Sequence, residues 1–226
     1  MTTTVKPRRL PSQDRSKATV NQILLAAEAL IARNGTGALK MREIAEQAEV
    51  PIGSLYMYFP NREAIIRTIV ERYSTLIETD LSARVAQVKS TRELIALIGS
   101  IVNDYYKFLR SSPSLINLWT GSLYNKSLTE LSIADSRRTA EILYHASKPF
   151  LTPRQRQRAL PCFLVCVDTI GSIANLAVSL KPAEGDAVIE ELQKMLVAHV
   201  TALFDKDMEV SAKKQAVPAR RKSPDA

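Results

Sequence analysis

Apolar residues along this chain recur at intervals of three and four, with no sustained two-residue alternation. Ile23, Leu24, Ala27, Leu30 and Ile31 form one such stripe and predict a helix over about Ser16–Asn34. Asn34-Gly35 then reads as its C-cap rather than as a hairpin turn, because a strongly helical run precedes it. Met41, Ile44, Ala45 and Ala48 share one face of a short second helix. Pro51 cannot continue that helix. Gly53 and Ser54 stand where a third helix can start, and Leu55 and Phe59, four apart, can pack back onto the second. Two short helices joined by so tight a connection make a helix-turn-helix.

The same spacing continues to the other end. Asn61 is placed to cap a helix reaching about Val88, with Ile65, Ile69, Tyr73 and Leu76 inward. Thr91–Arg110 follows, with Leu94, Leu97, Ile98, Ile101 and Tyr105 inward, and Ser111-Ser112-Pro113 breaks it. Residues 114–125 are apolar and aromatic. A helix over about Leu128–Ser147 precedes Thr152-Pro153, which opens another with Thr as N-cap and Pro at its first position. That helix runs to about Leu180. Lys181-Pro182 and Gly185 are expected to form a turn before a last helix over about Asp186–Asp205. The fold class is therefore all-α: an N-terminal three-helix head carrying the helix-turn-helix, then a larger helical domain. The expected organisation is a flexible basic arm (1–15), a head (16–62), a helical effector-binding and dimerisation domain (63–207) and a flexible basic tail (208–226).

Composition sharpens this picture. Glycine contributes only 7 of 226 residues, against a usual ~7%, as helix-rich chains require. The net charge is +8, and it is uneven. Residues 1–66 hold nine Lys/Arg against six Asp/Glu, and residues 209–226 hold five against two. Positive charge thus gathers at the motif-bearing end and in the tail, where it favours a polyanion. Cys162 and Cys166 are the only cysteines. Four apart on a helix they share a face, and a disulfide there would be strained, so two buried thiols are expected. Spacing along the chain gives no support for a metal site with His145 or His199. No metal and no cofactor is predicted. No uninterrupted apolar run reaches the ~18–20 residues that span a bilayer, and no hydrophobic segment backs the N-terminal basic residues as in a signal peptide. The expected location is cytoplasmic, without a membrane partner.

A helix that reads DNA needs residues that pack it, residues that grip phosphate and residues that reach bases. Ile44, Ala45, Val50, Leu55 and Phe59 are the packers. Ile52, Gly53, Ser54 and Met57 occupy the face that projects from the start of the third helix, so they are the candidate base readers. Lys40, Ser54, Tyr56, Tyr58 and Arg62 are the candidate phosphate holders, with core packing as the alternative role of either tyrosine. I-A-x-x-A-x-V at 44–50, G-S-L-Y-x-Y-F at 53–59 and N-R-E-A-I at 61–65 resemble the DNA-binding domain of TetR-family transcriptional regulators. The resemblance implies backbone gripping by Tyr56 and Arg62 and a base contact from Arg42. Three positions depart from the family pattern. Lys40 replaces a hydroxyl cap, Glu49 replaces a turn glycine and Pro51 replaces Ser or Thr. Glu49 suggests a turn conformation open to residues with a side chain.

The resemblance also implies a homodimer paired through the last two long helices. Their apolar content exceeds what one face needs: Phe163, Leu164, Val167, Ile170, Ile173, Ala174 and Ala177, then Val188, Leu192, Met195, Leu196, His199, Val200 and Leu203. It further implies a small-molecule effector, apolar or aromatic, held by the middle helices. Candidate lining residues are Tyr105, Trp119, Tyr124, Tyr144, Phe163 and Asn175, each of which also fits an ordinary core. The expected function is operator-specific transcriptional regulation, as a repressor released or modulated by that effector on a palindromic operator. The alternative is a helical interaction protein, or a sequence-blind DNA binder, without effector. Catalysis is not expected, since there is no Gly-rich phosphate loop, metal-ligand cluster or nucleophile motif in the sequence pattern.

Overall fold

The computed structural model describes residues 11–122 and 126–205. Among the described residues the regular elements are helices, with no strand. They are α1 (Pro11–Asn34), α2 (Met41–Gln47), α3 (Ile52–Tyr58), α4 (Arg62–Val85), α5 (Thr91–Arg110), α6 (Pro113–Ser122), α7 (Lys126–Ser147), α8 (Pro153–Ser179) and α9 (Pro182–Phe204), with one 3-10 turn at Lys148–Phe150.

Several boundaries follow from local chemistry. Gly35 ends α1 in the left-handed conformation, φ 73°, its N–H bonding the Ile31 carbonyl. The Asn61 Oδ1 accepts from the Ala64 N–H at 2.9 Å and caps α4. Thr152 and Gln155 cap α8 reciprocally. Two expected boundaries move. Helix α1 begins at Pro11 rather than Ser16, because proline with its fixed φ suits a first turn. Any basic arm is thereby shortened to residues 1–10, which lie outside the described residues, as does the tail from 206. Helix α9 begins at Pro182, not Asp186. Gly185 is therefore no turn residue but part of the first turn of α9, its N–H bonded to the Lys181 carbonyl.

The described chain divides into two compact units, Met1–Thr79 with Phe108–Asp135, and Asp80–Lys107 with Ser136–Ala226, each taken over its described residues. In the first, α1 packs on α2 and α6, and α2 on α3. Ile23, Ile31, Ile44, Leu55, Ile65, Ile69 and Leu118 are fully buried there. Within α4 the expected inward set is partly corrected. Leu76 is 57% exposed, while Ile66 is buried.

In the second unit, α8 and α9 form the most extensive helix–helix contact. Ala159, Phe163, Cys166, Ile170, Ala174 and Ala177 are the buried apolar residues of α8, and Ile189, Leu192, Leu196 and Val200 are buried on α9. Gly185 lets the two helices close. A Cβ built there would lie 2.4 Å from the Ala177 carbonyl oxygen and 2.7 Å from the Tyr106 hydroxyl. That hydroxyl donates to Asp186 at 3.0 Å. On α5 it is thus Tyr106 that is buried, whereas Tyr105, expected inward, is half-buried. By length and composition α8 does reach what a bilayer crossing needs, correcting the expectation that no segment would. Its polar residues are too scattered to lower the average, although they interrupt every unbroken run. A third of that stretch is buried inside the chain, and the packing against α9 accounts for this.

Candidate nucleic-acid interface

The turn between α2 and α3 is built by a Schellman motif. The Glu49 N–H bonds the Glu46 carbonyl at 3.2 Å and the Val50 N–H reaches back to the Ala45 carbonyl at 3.0 Å. This pattern requires a left-handed residue between them, and Glu49 sits there at φ 54°. The expectation of a turn open to any side chain is therefore wrong. The backbone takes the conformation that glycine prefers, and glutamate bears the strain, ~1–2 kcal/mol for an L-residue. Glu49→Gly should accordingly stabilise the head by about 1 kcal/mol in urea unfolding. Unchanged or lowered stability would contradict this account.

Helix α3 is seven residues long and has no side-chain cap at Pro51. Isolated, it would not persist. It is held by Leu55, which is fully buried, and by buried Phe59 just beyond its end. The opposite side is open. Ile52 is 43%, Tyr56 51% and Met57 83% exposed. Gly53 is exposed, and a Cβ there would meet nothing within 4 Å. Ser54 and Tyr58 are half-buried.

Basic groups stand at the starts of α2 and α4. Lys40 precedes α2 as an uncapped N-cap, and its Nζ pairs with Glu43 at 3.0 Å. Arg42 pairs with Glu46 at 2.9 Å, with 87% of its side chain exposed. Such surface pairs are worth only ~0.3–0.5 kcal/mol, so either cation can exchange its partner for a phosphate or a base. Arg62 is placed differently. Its guanidinium donates to the Gly37 and Leu39 carbonyls at 3.2 and 3.5 Å and to Glu63 at 2.9 Å. It braces the loop between α1 and α2 from the start of α4. The same guanidinium, by hydrogen bonding, holds the Glu63 carboxyl below its ordinary range. This bracing role was not foreseen, because it depends on a contact across some 25 residues of sequence.

Two family models match. One, described as tetracyclin repressor-like, C-terminal domain, covers residues 92–204, half of the chain. The other, described as bacterial regulatory proteins, tetR family, covers residues 23–69, which contain the open helix and its flanks. The chain belongs to the TetR family. A TetR-family transcriptional regulator of Streptomyces coelicolor has a similar crystal structure, with TM-score 0.64 and 26% identity over 84% of this chain and all of that one. FadR of Bacillus subtilis, solved with stearoyl-CoA, has TM-score 0.52 and 19% identity over 82% of this chain and 97% of that one. The latter is a likeness of fold alone. Among curated relatives, an uncharacterized HTH-type transcriptional regulator of Haemophilus influenzae is 24% identical over 96 residues, 42% of this chain and 50% of that protein. The HTH-type transcriptional repressor KstR of Mycobacterium tuberculosis is 33% identical over 82 residues, 35% of this chain and 37% of that protein. The chain spans about half the length of the first of these curated relatives.

The candidate effector residues of this TetR-family chain divide between its units. Tyr105, Tyr144, Phe163 and Asn175 fall in the second. Phe163 is fully buried core. Tyr144 is half-buried, with the Lys148 Nζ 4.9 Å from its ring centre and the His145 ring 5.4 Å away. Asn175 donates through Nδ2 to the Gly171 carbonyl at 2.9 Å, while its buried Oδ1 accepts nothing. Trp119 belongs to α6 in the first unit, and Tyr124 lies outside the described residues.

Proposed function

We propose that this chain is a sequence-specific DNA-binding transcriptional regulator that acts as a repressor. It works in the cytoplasm as a homodimer on a palindromic operator, without enzymatic activity, and is modulated by a small apolar or aromatic effector. The observation that carries the reading is the open side of α3. A seven-residue helix that exposes Ile52, Tyr56 and Met57, in a head whose preceding helix carries the exposed cations Lys40 and Arg42 at its start, offers the apolar and basic groups that a groove edged by phosphates requires.

In this reading residues 16–62 are the reading head and 63–207 the regulatory and pairing part. Arg42, Ile52, Gly53, Ser54 and Met57 approach bases, with Ile52 and Met57 offering apolar contact to thymine methyls. Lys40, Tyr56, Tyr58 and Arg62 serve the backbone, Arg62 while bracing its loop. Pairing through α8 and α9 is supported by Val165 and Leu176 on the former and Met195 on the latter, all more than half exposed. Exposed apolar residues on two adjoining helices mark an association face. The unsatisfied Asn175 Oδ1 supports an effector with a hydrogen-bond donor, since a buried acceptor without a partner is costly.

Gel-shift titration against the chain's own operator tests this reading. Tyr56→Phe removes only a hydroxyl and should weaken every operator variant alike, by about 1–2 kcal/mol per contact. Arg42→Ala should instead relax preference at one base position of each half-site, by ~1–3 kcal/mol. Failure to retard any duplex at low salt would overturn the reading. Equal affinity for all duplexes would leave a sequence-blind DNA binder.

A further inference from the structure

Cys162 and Cys166 lie one turn apart on α8, and α9 brings His199 beside them. Their Sγ atoms and the imidazole nitrogen all stand within 4.8 Å of one another. Cys166 is buried, Cys162 half-buried, and His199 faces solvent. Both sulfurs are free thiols. We propose that Cys162, Cys166 and His199 form a binding site for one thiophilic d10 cation, Zn2+ or Cu+, that ties α8 to α9.

The geometry fits such an ion with little movement. Ligands ~2.0–2.3 Å from a tetrahedral centre stand roughly 3.3–3.8 Å apart, so closure by about 1 Å is required. His199, exposed on α9, is free to supply part of it by changing rotamer. The i, i+4 spacing already points both sulfurs to one side of α8. On binding, each thiol releases its proton to solvent and the imidazole coordinates in its neutral form. Two thiolates then balance the charge of a dication. Three protein donors leave a fourth position for water, the coordination of an open rather than a closed zinc site. The alternative use of the pair, a disulfide within one helical turn, would strain the bond geometry.

The test uses the full chain, reduced and freed of metal by chelator under anaerobic conditions. Co2+, a spectroscopic stand-in for Zn2+, is titrated in, and Cu+ is titrated separately against the chelator bicinchoninate. The expected result is a thiolate-to-cobalt charge-transfer band that saturates stoichiometrically and is bleached by Zn2+, or retention of Cu+ against the chelator. The two arms decide which ion the site prefers. Cys162→Ser and Cys166→Ser should lose the signal. Because Cys166 is buried and its variant can misfold, His199→Gln provides a second measure. Its side chain is exposed within the chain, so circular dichroism should be unchanged while metal retention falls, and sedimentation of the metal-free variant shows whether pairing is also touched. Absence of both the cobalt band and Cu+ retention in the unsubstituted chain would overturn the proposal. So would full retention in His199→Gln.

Discussion

Leu55→Ala is expected to abolish the reading head. Leu55 is fully buried and is the buried residue of α3 itself. Truncating a buried leucine removes its transfer free energy and leaves a cavity, ~2–5 kcal/mol in all. A domain has only about 5–15 kcal/mol to lose, and a helix of seven residues contributes almost none by itself. The loss therefore falls on the packing of α3 against α2, where α3 would detach before the second unit melts. Chemical denaturation followed by circular dichroism should give an early transition, and operator retardation should vanish at temperatures where most helix remains. Intact retardation with less than ~1 kcal/mol lost would mean that α3 is anchored by something other than Leu55.

Gly185→Ala is expected to carry the second largest effect, in the other unit. The added methyl would lie 2.4 Å from a backbone oxygen of Ala177, which cannot rotate away as a side chain could. Either α9 moves off α8 or the first turn of α9 unwinds. In both cases the Tyr106–Asp186 hydrogen bond is lost. Overpacking of this kind costs ~1–3 kcal/mol, which for a chain of this size lowers Tm by roughly 2–4 °C per kcal/mol. Gly171→Ala is the control. A Cβ there meets nothing within 4 Å, and alanine is the better helix former by ~1 kcal/mol. It should be neutral or stabilising in thermal melts. If Gly185→Ala behaved the same way, the close approach of α8 and α9 would not depend on glycine. Because the exposed residues of these two helices carry the proposed pairing, the Gly185 variant should also weaken association, read by sedimentation as a larger monomer fraction at low concentration.

These expectations bear on how function is distributed. The head exposes what a sequence reader needs on a short helix held by few buried groups. The second unit carries a helix pair whose close approach requires Gly185, with a buried acceptor on Asn175 and a thiol pair both on α8. Ligand or metal that changed the α8–α9 contact would act on the very surface proposed for pairing. In the proposed dimer, pairing would in turn set the separation of two reading heads on DNA.

The helices, their caps and the helix-turn-helix were legible in the residues. Periodic apolar spacing decides which segments coil, and Asn61, Thr152-Pro153 and Asn34-Gly35 act within one turn of where they stand, so local chemistry sufficed. Other features are misread from the residues alone, one for a local reason and the rest because they depend on what packs from afar. Glu49 reads as a residue tolerant of its turn, but the Schellman hydrogen bonds force it to positive φ. Gly185 reads as a break, yet it lies in the first turn of α9, and the approach of Ala177 and Tyr106 is what requires a glycine there. Tyr105 and Tyr106 are indistinguishable by type, and it is Tyr106 that lies against Gly185 and donates to Asp186. His199 lies far from Cys162 and Cys166 along the chain, and only the antiparallel return of α9 brings it to them. Sequence alone determined the elements and the face that α3 presents, because both arise from contacts a few residues apart. Tertiary structure decided which groups meet across helices, because that depends on how closely two rods can approach.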